Sequence, residues 1–489
     1  MNRVRFAPSP TGYVHVGNAR TAIFNYLYSK RTGNPYILRI EDTDLERSKR
    51  EYENNLIKDL EWLGIEWDES PVKGGDYGPY RQSDRFNLYE KYYKKLLREN
   101  KAYYCFCTEE ELAIEKEKQK REGENIVYSG KCRRLDPEES EKRVADGESA
   151  VIRFRSTEGV DISFKDIVRG DVSFRSELIG DMIIVRSNGD PAYNFTVVID
   201  DHEMEIGLVI RGEDHLTNTF KQIEIFNALG FNHPQYAHLS MVMGSDNTKL
   251  SKRHGSVSVS DFRSKGYLPE ALFNYLSLLG WSPGDNRELL TKDDLISSFD
   301  LSRVTKSAAI FDIAKLNWFN REHLRILEPV ELGRRISPYL KDLGITFEKN
   351  IETLKWIGSA GKVLANYAYT LKDISSLFMD FFNFDPDSNL KDKTLSADSA
   401  KKVILLFSEN LNEMKSPVQF SSVSVITKKI RTDLGVKGKE LYHPIRLSLT
   451  GKEKGVELKD FIPLIENGSV LNFSPKILNM SERVKKFLK

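Results

Sequence analysis

Two short segments far apart in the chain carry residue types suited to handling a nucleoside triphosphate. Arg5-Phe6-Ala7-Pro8-Ser9-Pro10-Thr11-Gly12-Tyr13-Val14-His15-Val16-Gly17-Asn18 reads as a strand end, a Gly/Pro turn and a helix start that carries a histidine. Lys249-Leu250-Ser251-Lys252-Arg253 reads as a loop with two lysines at spacing three. A triphosphate needs positive potential without a bulky wall. A helix N-terminus supplies free N–H groups and a partial positive charge. Gly12 and Gly17 let backbone come close to a ligand, and His15 can donate to a phosphate oxygen. Negative charge that develops on a departing phosphate group calls for cations already in place. Lys249 and Lys252 are candidates, and Ser251 can add a hydroxyl donor. Taken singly, each segment has a plainer reading: an ordinary βα turn with a surface histidine, and a solvated basic loop.

The elements around the first segment would position it well. Val4 to Ala7 is a short β-rich run ending at Pro8, Gly17 to Lys30 has helical spacing without a breaker, and Gly33-Asn34-Pro35 turns the chain into a second strand, Tyr36 to Ile40. That strand–helix–strand order is a βαβ unit and predicts a parallel sheet. Ligands of such sheets bind at the carboxyl ends of strands, where Ser9, His15 and Glu41 would sit. Arg3 and Arg5 alternate onto one face of the first strand; Arg5 and Glu41 could also be a mutual ion pair. Asp181 to Val185, Phe195 to Asp200 and Leu208 to Arg211 read as further strands, so the sheet looks split by an insertion at about residues 81–180. Asp84 to Asn100 and the highly charged Glu109 to Arg121 read as helices. Leu268-Pro269 opens another, with Gly280 as its stop, and beyond about residue 325 helical patterns dominate.

At 489 residues the chain is long enough for several domains. A formal net charge of +1, with 40% hydrophobic and 30% charged residues, describes an ordinary soluble protein, so any nucleic-acid surface must come from segregated basic residues. No apolar run approaches the ~20 residues that span a bilayer, and the polar N-terminus lacks a signal-peptide core. Three cysteines argue against a disulfide framework and for a reducing cytoplasm.

Together, and in this order, the first two segments resemble the HIGH and KMSKS signatures of class I aminoacyl-tRNA synthetases; here they read His-Val-Gly-Asn and Lys-Leu-Ser-Lys-Arg. Flanking segments narrow the resemblance to bacterial glutamyl-tRNA synthetases: Gly78-Pro79-Tyr80-Arg81-Gln82-Ser83-Asp84-Arg85, Val198-Ile199-Asp200-Asp201-His202, Ile210-Arg211-Gly212-Glu213-Asp214-His215, Gly266 to Leu272, and Gly435 to Arg446. The resemblance implies an α/β fold: a Rossmann-type parallel sheet (1–80 and 181–245) split by an inserted acceptor-stem-binding domain (81–180), then a stem-contact region with the lysine loop (246–325) and an all-α anticodon-binding half (326–489). Helical patterning in that last half favours the bacterial type, because glutaminyl and archaeal or eukaryotic glutamyl enzymes carry β-barrels there. The length excludes the short glutamyl-queuosine enzymes.

The resemblance further implies that glutamate attacks ATP, with Mg²⁺ as phosphate partner, to give glutamyl-adenylate and pyrophosphate. The 3′ end of tRNA-Glu, and in a nondiscriminating enzyme also of tRNA-Gln, then takes the acyl group. It assigns ATP to Thr11, Gly12, His15, Gly17 and Lys252, the last matching the second lysine of KMSKS. It assigns L-glutamate to Arg5, Ala7, Ser9, Glu41, Tyr193 and Arg211: Arg5 and Arg211 on the side-chain carboxylate, Glu41 on the ammonium. Arginine suits this work, since its guanidinium meets a carboxylate with two parallel hydrogen bonds. A site built from arginines would reject glutamine, whose amide leaves a buried charge uncompensated. Arg446, Lys437 and Lys439 are RNA-contact candidates that equally fit a solvated helix face. A monomer is implied, and a noncatalytic paralogue that binds tRNA would have been expected to lose His15, Lys252 or Arg211.

Cys105-Phe106-Cys107 precedes Tyr128-Ser129-Gly130-Lys131-Cys132. Three thiols and a phenol can surround a metal tetrahedrally, although tyrosine lies outside the usual zinc ligands. The arrangement resembles a structural zinc site in the insertion of some glutamyl synthetases; three reduced cysteines are the alternative.

Overall fold

The computed structural model of the chain describes residues 3–44, 46–251, 257–414 and 417–489. They fall into two compact units, Met1–Phe262 with Leu272–Asp312, and Arg263–Ala271 with Ile313–Lys489.

In chain order the first unit runs β1 (Arg3–Phe6), α1 (Val16–Thr32), β2 (Tyr36–Leu38), α2 (Arg50–Trp62), α3 (Phe86–Arg98), β3 (Ala102–Cys105), α4 (Glu109–Glu122), α5 (Pro137–Ala145), β4 (Val151–Phe154), β5 (Asp161–Asp166), β6 (Gly170–Arg175), β7 (Ile183–Val185), α6 (Tyr193–Glu203), β8 (Ile206–Gly212), α7 (Leu216–Leu229), β9 (Gln235–Leu239) and β10 (Val242–Met243). The central sheet has the order β2-β1-β8-β9-β5-β6. Its first five strands pair in parallel, with Val4 beside both Tyr36 and Leu208, Ile210 beside Ala237 and Asp166 beside Tyr236. Parallel strands covered on both faces read as near-continuous apolar runs, and Ile206–Gly212 does so up to its one arginine, Arg211.

Two strands differ from the sequence reading. Phe195 to Asp200, read as a strand, lies in helix α6. Its Phe-Thr-Val-Val-Ile run is β-rich, but Phe195 to Asp201 are buried all round, and periodicity cannot separate a buried helix from a buried strand. β7, read as part of the parallel sheet, instead pairs antiparallel with β4 in a small sheet ordered β3-β4-β7. Conversely, the β5–β6 hairpin inside the insertion joins the central sheet through Asp166.

α1 starts where a site needs it. His15 is its N-cap, with extended backbone and Nδ1 accepting from Gly17 N–H at 3.2 Å, and Gly33 closes the helix in the left-handed region at φ 69°.

The second unit is mainly helical, from Ile313–Ile326 to Met480–Leu488, around one core that includes Leu332, Ile357, Phe378, Phe407 and Ile465. Helices Pro329–Asp342 and Ile351–Leu364 approach so closely that a Cβ on Gly333 would sit 2.0 Å from the Leu354 carbonyl oxygen, and one on Gly358 1.7 Å from that of Pro329. Only glycine fits at those crossings. Among the described residues no helix is long and apolar enough to cross a membrane.

Candidate functional site

A cavity of about 450 Å³ opens at the carboxyl ends of β1, β8 and β9, over the N-terminus of α1. This is the position at which parallel α/β sheets bind ligands. Arg5, Ala7, Ser9, Glu41, Tyr193 and Arg211 all line it, as do Thr11, His15, Gly17 and Lys249. Gly12 and Ser251 adjoin these residues in sequence but are not part of its wall. Lys252 lies outside the described residues.

The charges are arranged in buried alternation. Arg5 does not pair with Glu41; its Nε and Nη2 donate to the two carboxylate oxygens of Asp201 at 3.1 and 3.3 Å. Arg39 stands between the acids, donating from Nη2 to Glu41 at 3.0 Å and meeting Asp201 through Nη1 at 2.8 Å. Burial raises the pKa of Glu41, an effect that Arg39 and Arg5 only partly offset. Burial opposes ionisation of Asp201 too, but there Arg5 and Arg39 prevail and the net shift is downward. Asp201 is therefore an anion that holds Arg5 in place, while the Glu41 carboxyl, held by Arg39 alone among the described residues, borders the cavity.

Arg211 is held from three sides. Nε donates to His238 Nε2 at 3.3 Å, and Nη2 donates to Thr219 Oγ1 at 2.7 Å and Gln222 Oε1 at 2.8 Å. Its Nη1 is buried with no partner among the described residues. An unpaired buried guanidinium N–H is costly unless a ligand meets it. Two arginines and one acid therefore converge on one cavity, an arrangement suited to a ligand with more than one carboxylate and one ammonium. Tyr193 extends the wall with its hydroxyl 3.1 Å from His215 Nδ1. Burial, reinforced by Arg211, pushes the His215 pKa down to about 4, so this imidazole is neutral near pH 7. Arg3, on the same strand as Arg5, instead pairs with Glu69 and lies 3.9 Å over the Tyr77 ring.

At the other end of the cavity, His15 Nδ1 is occupied by the Gly17 N–H. Burial and then Lys249 lower its pKa, so the ring is neutral, and an accepting Nδ1 puts the proton on Nε2. That nitrogen is buried without a partner among the described residues, although the Leu250 carbonyl lies near enough to favour protonation. Lys249 is exposed, with Nζ 3.9 Å from Asp214. A helix N-terminus, an Nε2–H donor and an exposed cation on one rim form a site for a polyanion.

Sequence reasoning missed Asp201, Arg39, His215 and His238 as site residues. Signals existed: an arginine inside the apolar run Tyr36 to Ile40, and adjacent acids inside Val198 to Asp201, both demand buried partners. The neighbouring Asp200 meets that demand with Gln82 at 2.8 Å, Arg85 at 2.7 Å and Tyr89. This accounts for the polar residues of the Gly78 to Arg85 segment.

Beside the small sheet of the first unit, Cys105 at the end of β3, Cys107 in the loop that follows and Cys132 in a later turn bring their sulfurs within 4.8 Å of one another. Cys107 Sγ is 3.6 Å from Cys132 Sγ, and the Tyr128 hydroxyl is 3.4 Å from Cys105 Sγ and 3.5 Å from Cys107 Sγ. The four predicted ligands thus come together.

Comparison with known proteins agrees with this geometry. The family of class I tRNA synthetases (E and Q), catalytic domain, matches residues 1–318, and an anticodon-binding domain matches residues 331–472. A glutamate–tRNA ligase of Sulfurihydrogenibium is 48% identical over 468 residues, covering 95% of this chain and 96% of that protein. One from Carboxydothermus hydrogenoformans is 46% identical over 467 residues, covering 95% and 97%. The crystal structure of a glutamate–tRNA ligase from Elizabethkingia meningosepticum, in complex with its amino acid, superposes with a TM-score of 0.86 at 32% identity, covering 100% of this chain and 99% of that one. The chain belongs to the glutamate–tRNA ligase family of class I tRNA synthetases.

Proposed function

We propose that the chain attaches L-glutamate to the 3′ end of tRNA-Glu at the expense of ATP. The observation that carries this is the convergence of Arg5, Arg211 and Glu41 on a cavity that also takes in the N-terminus of α1. Arg211, with Arg5 beside it, receives the side-chain carboxylate of glutamate, and Glu41 receives the ammonium. These contacts leave the α-carboxylate facing the His15 end. One of its oxygens attacks the α-phosphorus of ATP; the P–O bond to the β-phosphate breaks, and pyrophosphate leaves. His15 Nε2–H and Lys249 stabilise phosphate charge as it develops, and resemblance gives the same task to Lys252. Mg²⁺, when bound with ATP, neutralises part of that charge. A ribose hydroxyl of the tRNA then attacks the acyl carbon and AMP leaves. No protein nucleophile is involved; catalysis is positioning and electrostatics.

We assign residues 81–180 to the acceptor end and 326–489 to the anticodon end of the tRNA. The reading is tested by pyrophosphate exchange into ATP in the presence of glutamate and tRNA. Exchange that requires glutamate is expected, and its absence in folded protein would overturn the reading. Lys249→Ala should lower the activation rate at least tenfold with little change in glutamate affinity, because its cation acts on leaving charge. An unchanged rate in single-turnover measurements would remove Lys249 from this role.

The cysteine cluster fits structural zinc. Tetrahedral bonds of about 2.3 Å to sulfur and about 2.0 Å to oxygen require edges of roughly 3.8 Å between sulfurs and 3.5 Å between sulfur and oxygen. The Cys107–Cys132 distance of 3.6 Å and the Tyr128 distances of 3.4 and 3.5 Å lie close to those edges. Cys132 N–H donates to the Tyr128 hydroxyl at 2.8 Å, and the Arg153 guanidinium lies 3.9 Å over its ring; both stabilise negative charge on the oxygen, against burial and the thiols, which without a metal hold the phenol protonated. Cys105, Cys107, Cys132 and Tyr128 would hold the ion, with no open position for catalysis. Protein purified without added metal should carry about one equivalent of zinc, and Tyr128→Phe should lose it faster to a chelator. Less than a tenth of an equivalent in the native protein would contradict the assignment.

A further inference from the structure

Arg211 reaches the cavity from β8, and its fixed pose depends on a residue one strand away. His238 on β9 is its direct neighbour in register. The His238 side chain is fully buried, as is that of Asp166, which lies at the end of β5. Asp166 Oδ2 lies 2.7 Å from His238 Nδ1 and also accepts from the His238 backbone N–H at 3.1 Å; Oδ1 accepts from the backbone N–H groups of Val168 and Arg169 at 2.9 and 2.8 Å. A carboxyl surrounded by so many donors is an acceptor only, so Nδ1 carries a proton and donates it to Asp166. On the opposite side of the ring, Nε2 faces Arg211 Nε at 3.3 Å. Arginine never accepts, so this contact exists only if Nε2 is unprotonated. The same Nε2 lies 2.9 Å from Thr219 Oγ1, whose hydroxyl can donate to it, so one tautomer, protonated at Nδ1 and bare at Nε2, serves both Arg211 and Thr219.

We propose that His238 is a positioning residue for substrate selection: clamped by Asp166, it presents a lone pair to Arg211 and to the Thr219 hydroxyl that also holds Arg211, and so fixes the guanidinium that meets the substrate's side-chain carboxylate. This rests on the role given to Arg211 above. With Nε held by His238 and Nη2 held by Thr219 and Gln222, Nη1 is the part of the fork left to the ligand. Removing the lone pair leaves Nε buried without an acceptor and frees the fork to rotate towards other carbonyls. The effect falls on the amino acid and spares ATP, whose expected contacts at His15 and Lys249 are formed by other elements.

Two substitutions separate positioning from packing. Asparagine in place of His238 reproduces the reach of Nδ1 and can keep Asp166 while offering nothing to Arg211; glutamine reproduces the reach of Nε2 and offers its carbonyl. His238→Asn should raise the KM for glutamate about tenfold to a hundredfold, the scale of one hydrogen bond to a charged group, with the KM for ATP changed less than twofold. His238→Gln should restore most of the loss. Equal losses in both variants, or equal increases in the two KM values, would make His238 a packing residue and overturn the proposal, as would an unaltered KM for glutamate in His238→Asn. Histidine ¹⁵N shifts in the unsubstituted protein give a test independent of how the variants fold: one buried ring must show protonated Nδ1 and bare Nε2, and a protonated Nε2 at His238 would refute the arrangement. Unsubstituted protein that failed to use glutamate at all would instead defeat the function proposed above.

Discussion

Arg211→Gln is expected to lower kcat/KM for glutamate by about 30-fold to several thousand-fold, the range for removing one partner of a buried, hydrogen-bonded charge pair, about 2–5 kcal/mol. The reason lies in how the residue is held. Its guanidinium is supported by His238, Thr219 and Gln222 and keeps one buried N–H unmet by any described residue. The neighbouring Arg5 cannot replace it, because Nε and Nη2 of Arg5 are committed to Asp201. The introduced glutamine is short and neutral, so the substrate carboxylate would lose its fork and stay desolvated. The same change should narrow the preference for glutamate over glutamine, since an amide then faces no uncompensated charge. Pyrophosphate exchange with each amino acid, in the presence of tRNA, measures both effects. A loss below about fivefold, with selectivity intact, would mean that the side-chain carboxylate binds elsewhere.

His15→Asn should lower the rate of adenylate formation about 10²- to 10³-fold while leaving the fold intact. On the proposed function His15 has two separable tasks. Nδ1 caps α1 by accepting from Gly17 N–H, and Nε2–H is the donor left for phosphate. Asparagine is among the best N-caps, so it preserves the first task and abolishes the second. His15→Gln extends its amide towards the Nε2 position; it should keep more activity and lose about 1 kcal/mol of cap stability. The two variants therefore cross: one is stable and slow, the other faster and less stable. Single-turnover rates set beside thermal unfolding read this crossing. A stable, fully active His15→Asn would show that His15 only caps the helix.

How much of this was legible in the sequence differs from residue to residue. The β1–α1–β2 unit was legible because its signals are local: a proline-ended strand, a helical period without breakers and a Gly-Asn-Pro turn. Positions at strand ends then followed from topology, and Arg5, Ser9, His15 and Glu41 do share one cavity. Residues 195–200 misled because a helix buried all round has the composition of a buried strand. Pairing of β5 with β9 was invisible, since parallel pairing between residues 166 and 236 leaves no local trace. That same pairing places Asp166 against His238, so the support of Arg211 was hidden with it. Arg39 and Asp201 were in view as types but not as partners: burying a charge demands an opposite charge, without saying which one. Lys252, assigned by resemblance, lies outside the described residues, and its role is tested by kinetics alone.

Amino-acid and tRNA choice are read together by aminoacylation with labelled glutamate, run in parallel on tRNA-Glu and tRNA-Gln from the protein's own source, with labelled glutamine as the competing amino acid. Glutamylation of tRNA-Glu and no charging by glutamine are expected. Glutamylation of tRNA-Gln as well would identify a nondiscriminating enzyme with the same pocket. Efficient charging with glutamine, or no charging of either tRNA by folded protein, would contradict the reading of Arg5, Arg211 and Glu41 as a glutamate site.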